Sequence, residues 1–343
     1  VGRTAIGVAR IRAAESGRPD RLFDDPYAAA FAAAAADVAG SVGPDLAGPA
    51  APDLSASADV PASADVAGSV GPDLAGPVAP DLSASADVAG SAGPDLAGPA
   101  GLELSGQTHA AGSRAAPPGS PAASSLGRRL SFQVVIRTRF FDDYLLAAAG
   151  AGIRQVVLLA AGLDTRAYRL DWPAGVRLFE VDLPEVVAFK QEILDAERAR
   201  PRCERVTVPA DLRRDWPVRL RRAGFDPGQR TAWLAEGLLI YLSNDEAAGL
   251  LTALGAASAA GSRLSCERGG AAAADLMGRA QHMPRLSRAA ELWQGGLTDD
   301  LPAWLQRHGW EVSVHDLAAA AASYGRPALA GSRGGFVTAT RSG

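Results

Sequence analysis

Aromatic residues are few, and none occurs between Phe31 and Phe132; all nine Phe, five Tyr and six Trp fall outside that hundred-residue gap. A stretch of that length without an aromatic side chain does not build an ordinary core. Cysteine is equally scarce. Cys203 and Cys266 stand 63 positions apart with no second Cys or His at ligand spacing, which excludes a disulfide scaffold and a zinc site and leaves two small apolar residues. No apolar run reaches the roughly 18 residues needed to span a bilayer, and the first residues lack the charged-then-apolar order of a signal peptide. A cytoplasmic protein is therefore expected. No dense Lys/Arg run is present, so neither a nucleic-acid footprint nor a membrane-binding surface is expected.

Charge separates the chain into two parts. Residues 36–125 carry nine Asp and Glu103 against Arg114, a balance of −9, so the rest of the −4 chain carries +5. This tract is a repeat: Asp37-Val-Ala-Gly-Ser-Val-Gly-Pro-Asp-Leu-Ala-Gly-Pro recurs unchanged from Asp65 and, with Ala92 in place of Val, from Asp87. Offsets of 28 and 22 residues do not suit a solenoid, which stacks equal units, and isolated Val and Leu between Gly-Pro breaks offer no apolar face. The tract reads as a disordered low-complexity insertion, with His109 a solvated bystander. Its removal leaves about 250 residues, the size of one α/β domain. Residues 1–35 are expected to form an N-terminal helical segment of that domain and 126–343 its body.

Helical spacing is clear at Thr4–Ala14, at Asp25–Ala36 behind Asp24-Asp25-Pro26, and at Leu130–Ala149. From Gln155 onward short apolar runs alternate with amphipathic helices. The runs are Val156–Ala160, Val176–Val181, Arg205–Val208, Thr231–Ala235 and Arg263–Cys266. The helices lie near Glu185–Arg200, Trp216–Ala223 and Asp245–Ala259, the last opened by a Ser243–Glu246 capping box. This alternation predicts a parallel, doubly wound sheet covered on both faces. An Ala-rich helical stretch, a helix near Asp299–Arg307 and strands at Glu311–His315 and Gly335–Thr340 follow, the two strands suiting an antiparallel closing hairpin.

Ligands of such sheets bind at the carboxyl ends of the strands, where strand order reverses. The first run ends Ala160-Ala161-Gly162-Leu163-Asp164-Thr165-Arg166, where a tight glycine turn would leave backbone N–H groups free to meet a carboxylate or phosphate. As a dinucleotide fingerprint it is poor, because positions 160 and 165 are Ala and Thr. The second run ends in Asp182, 20 residues beyond Gly162, where a carboxylate accepts both ribose hydroxyls or caps the turn before Pro184. The third ends Ala210-Asp211-Leu212, an N-cap or an adenine subsite: Asp accepting from the amino group, Leu on the ring. The fourth leads into Glu236 within apolar surroundings, an acid that needs a partner or a ligand. His282, His308 and His315, and Trp293, Trp304 and Trp310, suit packing as readily as a cap over a substrate.

Arg137-Thr-Arg-Phe-Phe-Asp142-Asp143, Leu159-Ala-Ala-Gly-Leu-Asp-Thr-Arg-Ala-Tyr-Arg-Leu170, Glu180-Val-Asp-Leu-Pro184 and Glu236-Gly-Leu-Leu-Ile-Tyr-Leu242 resemble the S-adenosylmethionine-dependent methyltransferases related to leucine carboxyl methyltransferase, and most closely the bacterial branch of that family. Arg3-Thr-Ala and Arg18-Pro-Asp-Arg-Leu-Phe-Asp-Asp-Pro26 extend the resemblance across nearly everything but the repeats. It implies a class I methyltransferase-like (Rossmann-like) fold with a seven-stranded sheet, and S-adenosyl-L-methionine as cofactor. By the same resemblance Asp182 would hold the ribose and Asp211 and Leu212 the adenine, Gly162 would let the backbone approach the methionine part, Arg137 would pair with its carboxylate, and Asp164 and Glu236 would line the amino end. Arg137 otherwise reads as a surface residue of its helix. Ala160 departs from the family, which often has Gly there. A small-molecule or peptide-carboxylate acceptor is implied. A carboxylate acceptor needs no base, whereas a hydroxyl acceptor needs one, for which Glu236 and Tyr241 are candidates. Two rival readings are a nicotinamide-dependent oxidoreductase and an inactive nucleoside-binding protein of the same fold.

Overall fold

Strand β1 (Gln155–Leu159) and strand β4 (Thr231–Ala235) are buried along their whole length, as strands in the middle of a sheet covered on both faces must be. The computed structural model describes residues 3–40, 121–268, 293–297, 300–330 and 334–343. They form one seven-stranded sheet, completed by β2 (Arg177–Asp182), β3 (Glu204–Pro209), β5 (Arg263–Glu267), β6 (Trp310–Asp316) and β7 (Gly335–Arg341), in the order β3-β2-β1-β4-β5-β7-β6. The first five strands are parallel. Strand β7 runs antiparallel to both β5 and β6. Successive strands step outward from β1 to β3 and then resume on its other side at β4, so the order reverses between β1 and β4.

The period-2 rhythm of the strands sorts their side chains onto two cores. Val157, Leu159, Phe179, Val181, Trp233 and Ala235 face one side, under α6 (Trp216–Arg222), α7 (Asn244–Ala256) and α8 (Leu301–Arg307). Val156, Leu158, Leu178, Ala232 and Leu234 face the other, under α1 (Arg3–Ser16), α2 (Ala28–Gly40), α3 (Pro121–Gly150), α5 (Pro184–Ala196) and α9 (Leu317–Ser323). The N-terminal helices thus belong to the same compact unit as the sheet. Capping explains where α7 starts: the Ser243 side chain accepts from Glu246 N, and the Glu246 carboxylate accepts from Ser243 N.

Beneath the carboxyl end of β2, Glu180 is buried against Lys190 of α5 and Arg205 of β3, each 2.8 Å from the same oxygen. Lys190 is the chain's only lysine and is 2% exposed. Burial pushes its ammonium down in pKa, while Glu180 pulls the other way.

Several sequence expectations need correction. Helix α2 runs on to Gly40 and α3 begins at Pro121, so regular backbone enters both ends of the tract. Asp25 starts α2 from a turn, its carboxylate accepting from Tyr27 N at 3.2 Å, with Pro26 ahead of the first helical turn rather than inside it. The last two strands are antiparallel partners but not a hairpin: α9 separates them, and β7 inserts between β5 and β6. The short helix α4 (Arg166–Arg169), the 3-10 turn Leu239–Tyr241 and α9 were not anticipated, because elements of one or two turns carry too little periodicity. The repeats within 41–120, His109, His282 and the Ala-rich stretch lie outside the described residues.

Candidate cofactor site

The carboxyl ends of β1 to β5 gather Gly162, Asp182, Asp211, Glu236 and Glu267 along one edge of the sheet. After β1 the backbone turns through two left-handed residues, Ala160 and Gly162, both at φ of 50°. At Gly162 the nearest atom to a would-be Cβ is the Ala160 oxygen at 3.9 Å, so glycine is favoured by conformation rather than by crowding, and there is open space before the turn. Ala160 bears that conformation with a methyl group, a strain of about 1–2 kcal/mol. Ala160→Gly is therefore expected to stabilise the fold by about 0.5–1 kcal/mol, after the added freedom of glycine in the unfolded chain offsets part of the relief. Urea denaturation of the two proteins measures it, and a destabilised variant contradicts the account.

Asp182 stands at the tip of β2. Its Oδ2 accepts from Gly162 N at 2.6 Å and its Oδ1 from Leu183 N at 2.7 Å, so one carboxylate ties the glycine turn to the second strand; the Gly162 N–H, and that of Ala161, which donates to Val181 O at 3.2 Å, are thus taken within the protein and not free for a ligand as the sequence suggested. It is not the N-cap of α5, since that position is Leu183. Burial pushes the Asp182 carboxyl up in pKa, and the two N–H donors pull it down. Each oxygen keeps a second lone pair, which suits a vicinal diol. The next strand tip is tied on by Ala210 N donating to Asp182 O at 2.8 Å. There Asp211 sits in an exposed pair with Arg213, accepting from its Nη2 at 2.8 Å and from its Nε and backbone N at 3.0 Å. Those bonds hold the carboxyl at about 2. Asp211 is no N-cap either, because α6 starts behind Asp215. Leu212 packs on the core beside it.

On the β4 side lies an ion-pair cluster. Arg137 of α3 donates from Nε to Glu236 at 2.8 Å and from Nη1 to Glu267 at 3.0 Å. The other Glu236 oxygen accepts from Arg166 Nη1 at 2.7 Å. Arg166 is 2% exposed and also binds Asp142 through Nε at 2.6 Å, and Asp164. Arg169 closes on Asp142 with both terminal nitrogens, at 2.6 and 2.7 Å. Glu267 accepts twice from Gly237 N, at 2.8 and 2.9 Å. Burial works against every charge here, yet Arg166 and Arg137 bring Glu236 below the usual carboxylate range, and Arg166 helps hold Asp164 at about 2. Glu267 differs: burial pushes it up, and Arg137 does not fully offset this.

The sequence expectations for Gly162, Asp182, Asp164 and Glu236 thus meet at one place. Arg137 is no surface residue; its side chain is 14% exposed and anchored by two carboxylates. Its Nη2 makes no hydrogen bond to any described residue, so two N–H groups are left for an anion. Arg166, Asp142, Arg169 and Glu267 were missed, although Glu267 ends the fifth strand run as the other acids end theirs. Arg12 was missed as well: from α1 it donates to Leu163 O at 2.6 Å, holding the glycine turn from the N-terminal side. His308 and Trp304 stack on each other at 3.6 Å, His315 lies on Phe140, and Trp310 is buried, all packing roles. Cys266 is buried and Cys203 partly so, both with thiols pushed up in pKa by burial. Among the described residues no cluster of potential metal ligands occurs, and no helix is long and apolar enough to cross a membrane.

An open glycine turn on β1, an acid at the tip of β2 and a switch point between β1 and β4 define a doubly wound nucleoside-cofactor fold. Comparison with known proteins narrows the class. Residues 86–255 match the family model of leucine carboxyl methyltransferase. A relative from Parafrankia sp. (strain EAN1pec), described as a "putative S-adenosyl-L-methionine-dependent methyltransferase", is 42% identical over 99% of this chain and 87% of its own length. Another so described, from Streptomyces avermitilis, is 38% identical over 95% of this chain and 89% of its own. The solved magnesium protoporphyrin IX methyltransferase from Synechocystis PCC 6803 with bound S-adenosylhomocysteine shares 13% identity over 66% of this chain and 90% of that one, with a TM-score of 0.41. The chain belongs to the S-adenosyl-L-methionine-dependent methyltransferases related to leucine carboxyl methyltransferase. The nicotinamide reading is thereby set aside.

Proposed function

We propose that this methyltransferase methylates an oxygen atom, and that its acceptor is a carboxylate on a small molecule or peptide. When bound, S-adenosylmethionine supplies a methyl group already activated by its sulfonium. The residues present fit it. Asp182 offers paired acceptor lone pairs for the ribose hydroxyls, Arg137 offers Nη2 to the methionine carboxylate, and the Gly162 turn leaves room for the methionine backbone. Asp211 and Leu212 supply the adenine subsite, with Arg213 sharing the Asp211 carboxylate. Asp164 and Glu236 line the amino end.

One observation carries the choice of acceptor: Glu236, the acid that was a candidate base, is held ionised between two guanidiniums and is a poor base. A hydroxyl acceptor must lose a proton as it attacks. A carboxylate oxygen needs only to be desolvated and aligned, and the new C–O bond replaces the C–S bond with no proton to move. Tyr241, in the turn after β4, then serves to shape the acceptor pocket rather than to take a proton.

Methyl-labelled S-adenosylmethionine offered with matched panels of carboxylic acids, alcohols and phenols tests this. Label recovered as methanol after mild alkali is the expected result, because esters hydrolyse and ethers do not. Alkali-stable label contradicts it, and cofactor binding without any transfer favours an inactive binding protein.

A further inference from the structure

Four carboxylates, on Asp142, Asp164, Glu236 and Glu267, share three guanidiniums, on Arg137, Arg166 and Arg169. The sharing is unequal. Asp142 has two cations, Arg166 and Arg169. Glu236 also has two, Arg137 and Arg166. Asp164 has Arg166 through both side chain and backbone. Among the described residues Glu267 is paired with Arg137 alone, its other bonds coming from the neutral Gly237 N–H. The one guanidinium it depends on is also the one whose Nη2 makes no hydrogen bond to a described residue and which the proposed function assigns to the methionine carboxylate.

We propose that Glu267 is a positioning residue for Arg137 and that it takes up a proton when the cofactor's carboxylate binds. The inference rests on the reading of Arg137 given above. A third carboxylate on a single guanidinium sets like charges close together in a poorly hydrated place, and the acid with the fewest other cations is the one that neutralises. Around Glu267 stand Arg137 from α3, Glu236 behind β4 with Arg166 beyond it, the neutral thiol of Cys266 before it and exposed Arg268 after it. None of these supplies a second close cation. Burial already favours the protonated acid. Once protonated, Glu267 still accepts from Gly237 N, whose left-handed φ of 62° it helps to hold, and its new O–H is a donor to the incoming anion.

The sign follows from linkage. A ligand that binds the protonated form binds more weakly as pH rises, by up to about tenfold per pH unit between the free-state and bound-state pKa values of the acid.

Calorimetric titration of the full chain with S-adenosylhomocysteine, in phosphate and in Tris from about pH 6 to about pH 8, reads the proton directly, because the two buffers release it with different enthalpies. A net uptake of a substantial fraction of one proton is expected, together with affinity that falls as pH rises. In Glu267→Gln the uptake disappears and affinity is flat with pH, whereas Glu236→Gln keeps the uptake. Equal heats in both buffers for the unaltered protein overturn the proton step, as does Glu267→Gln binding more weakly at every pH with uptake unchanged, the mark of a purely structural role. No binding at all overturns the placement of the cofactor here and the inference with it. The unaltered protein suffices for the first outcome, so the test survives a variant that fails to fold.

Discussion

Replacing Arg166 by methionine should destabilise the fold by about 3–5 kcal/mol, the range found when one partner of a buried ion pair is removed. The size comes from what is left behind. Arg166 is the common partner of Asp142, Asp164 and Glu236, and without it, among the described residues, Asp164 loses its only ion-paired cation while Glu236 keeps Arg137 alone. Most of the loss is the penalty of stranded carboxylates rather than the worth of the bonds, so neutralising a second member should restore part of it. Arg166→Met with Asp164→Asn is expected to be more stable than Arg166→Met alone. Urea unfolding followed by tryptophan fluorescence decides it. A loss below about 1 kcal/mol, the scale of an exposed pair, would show that solvent reaches the cluster.

The second large effect is on binding. Asp182→Ala should weaken S-adenosylhomocysteine by about 1–3 kcal/mol, or roughly 5- to 150-fold, the range for charge-assisted hydrogen bonds. Three losses combine here: the acceptor for the ribose hydroxyls, and the bonds from Gly162 N and Leu183 N that keep the turn and strand tip in shape. Asp182→Asn separates them. Its amide oxygen still accepts from Gly162 N, but its NH2 faces a diol as a donor, so an intermediate affinity is expected. Calorimetry on the three proteins checks the order. Equal affinity in all three removes Asp182 from the site.

The architecture was legible where the pattern was long. Five strand runs alternating with helices located the parallel sheet and its strand ends, and Ser243 with Glu246 marked the start of α7 by chemistry alone. Strand β7 was not placed, because nothing in Gly335–Arg341 tells which neighbour it joins; that depends on the antiparallel register Cys266 to Val337, a contact between distant residues. At the site, acids at strand tips were readable because the fold assigns those positions to ligands. The partners of those acids were not. Arg166 lies two residues from Asp164 yet reaches Glu236, 70 positions away, and Arg137 reaches 130 positions to Glu267. Pairings of that span belong to tertiary structure, and an Arg next to an Asp reads in sequence as a solvated pair.

Amine-reactive reagents acylate lysines and the α-amino group, and in this chain the only lysine is sealed under the sheet edge against Glu180. Folded protein should therefore take up no side-chain label at all, while any opening of α5 away from β2 and β3 exposes a single ε-amine. Mass spectrometry of one peptide then becomes a residue-specific clock for the opening of the strand that ends in Asp182, with no background from other lysines.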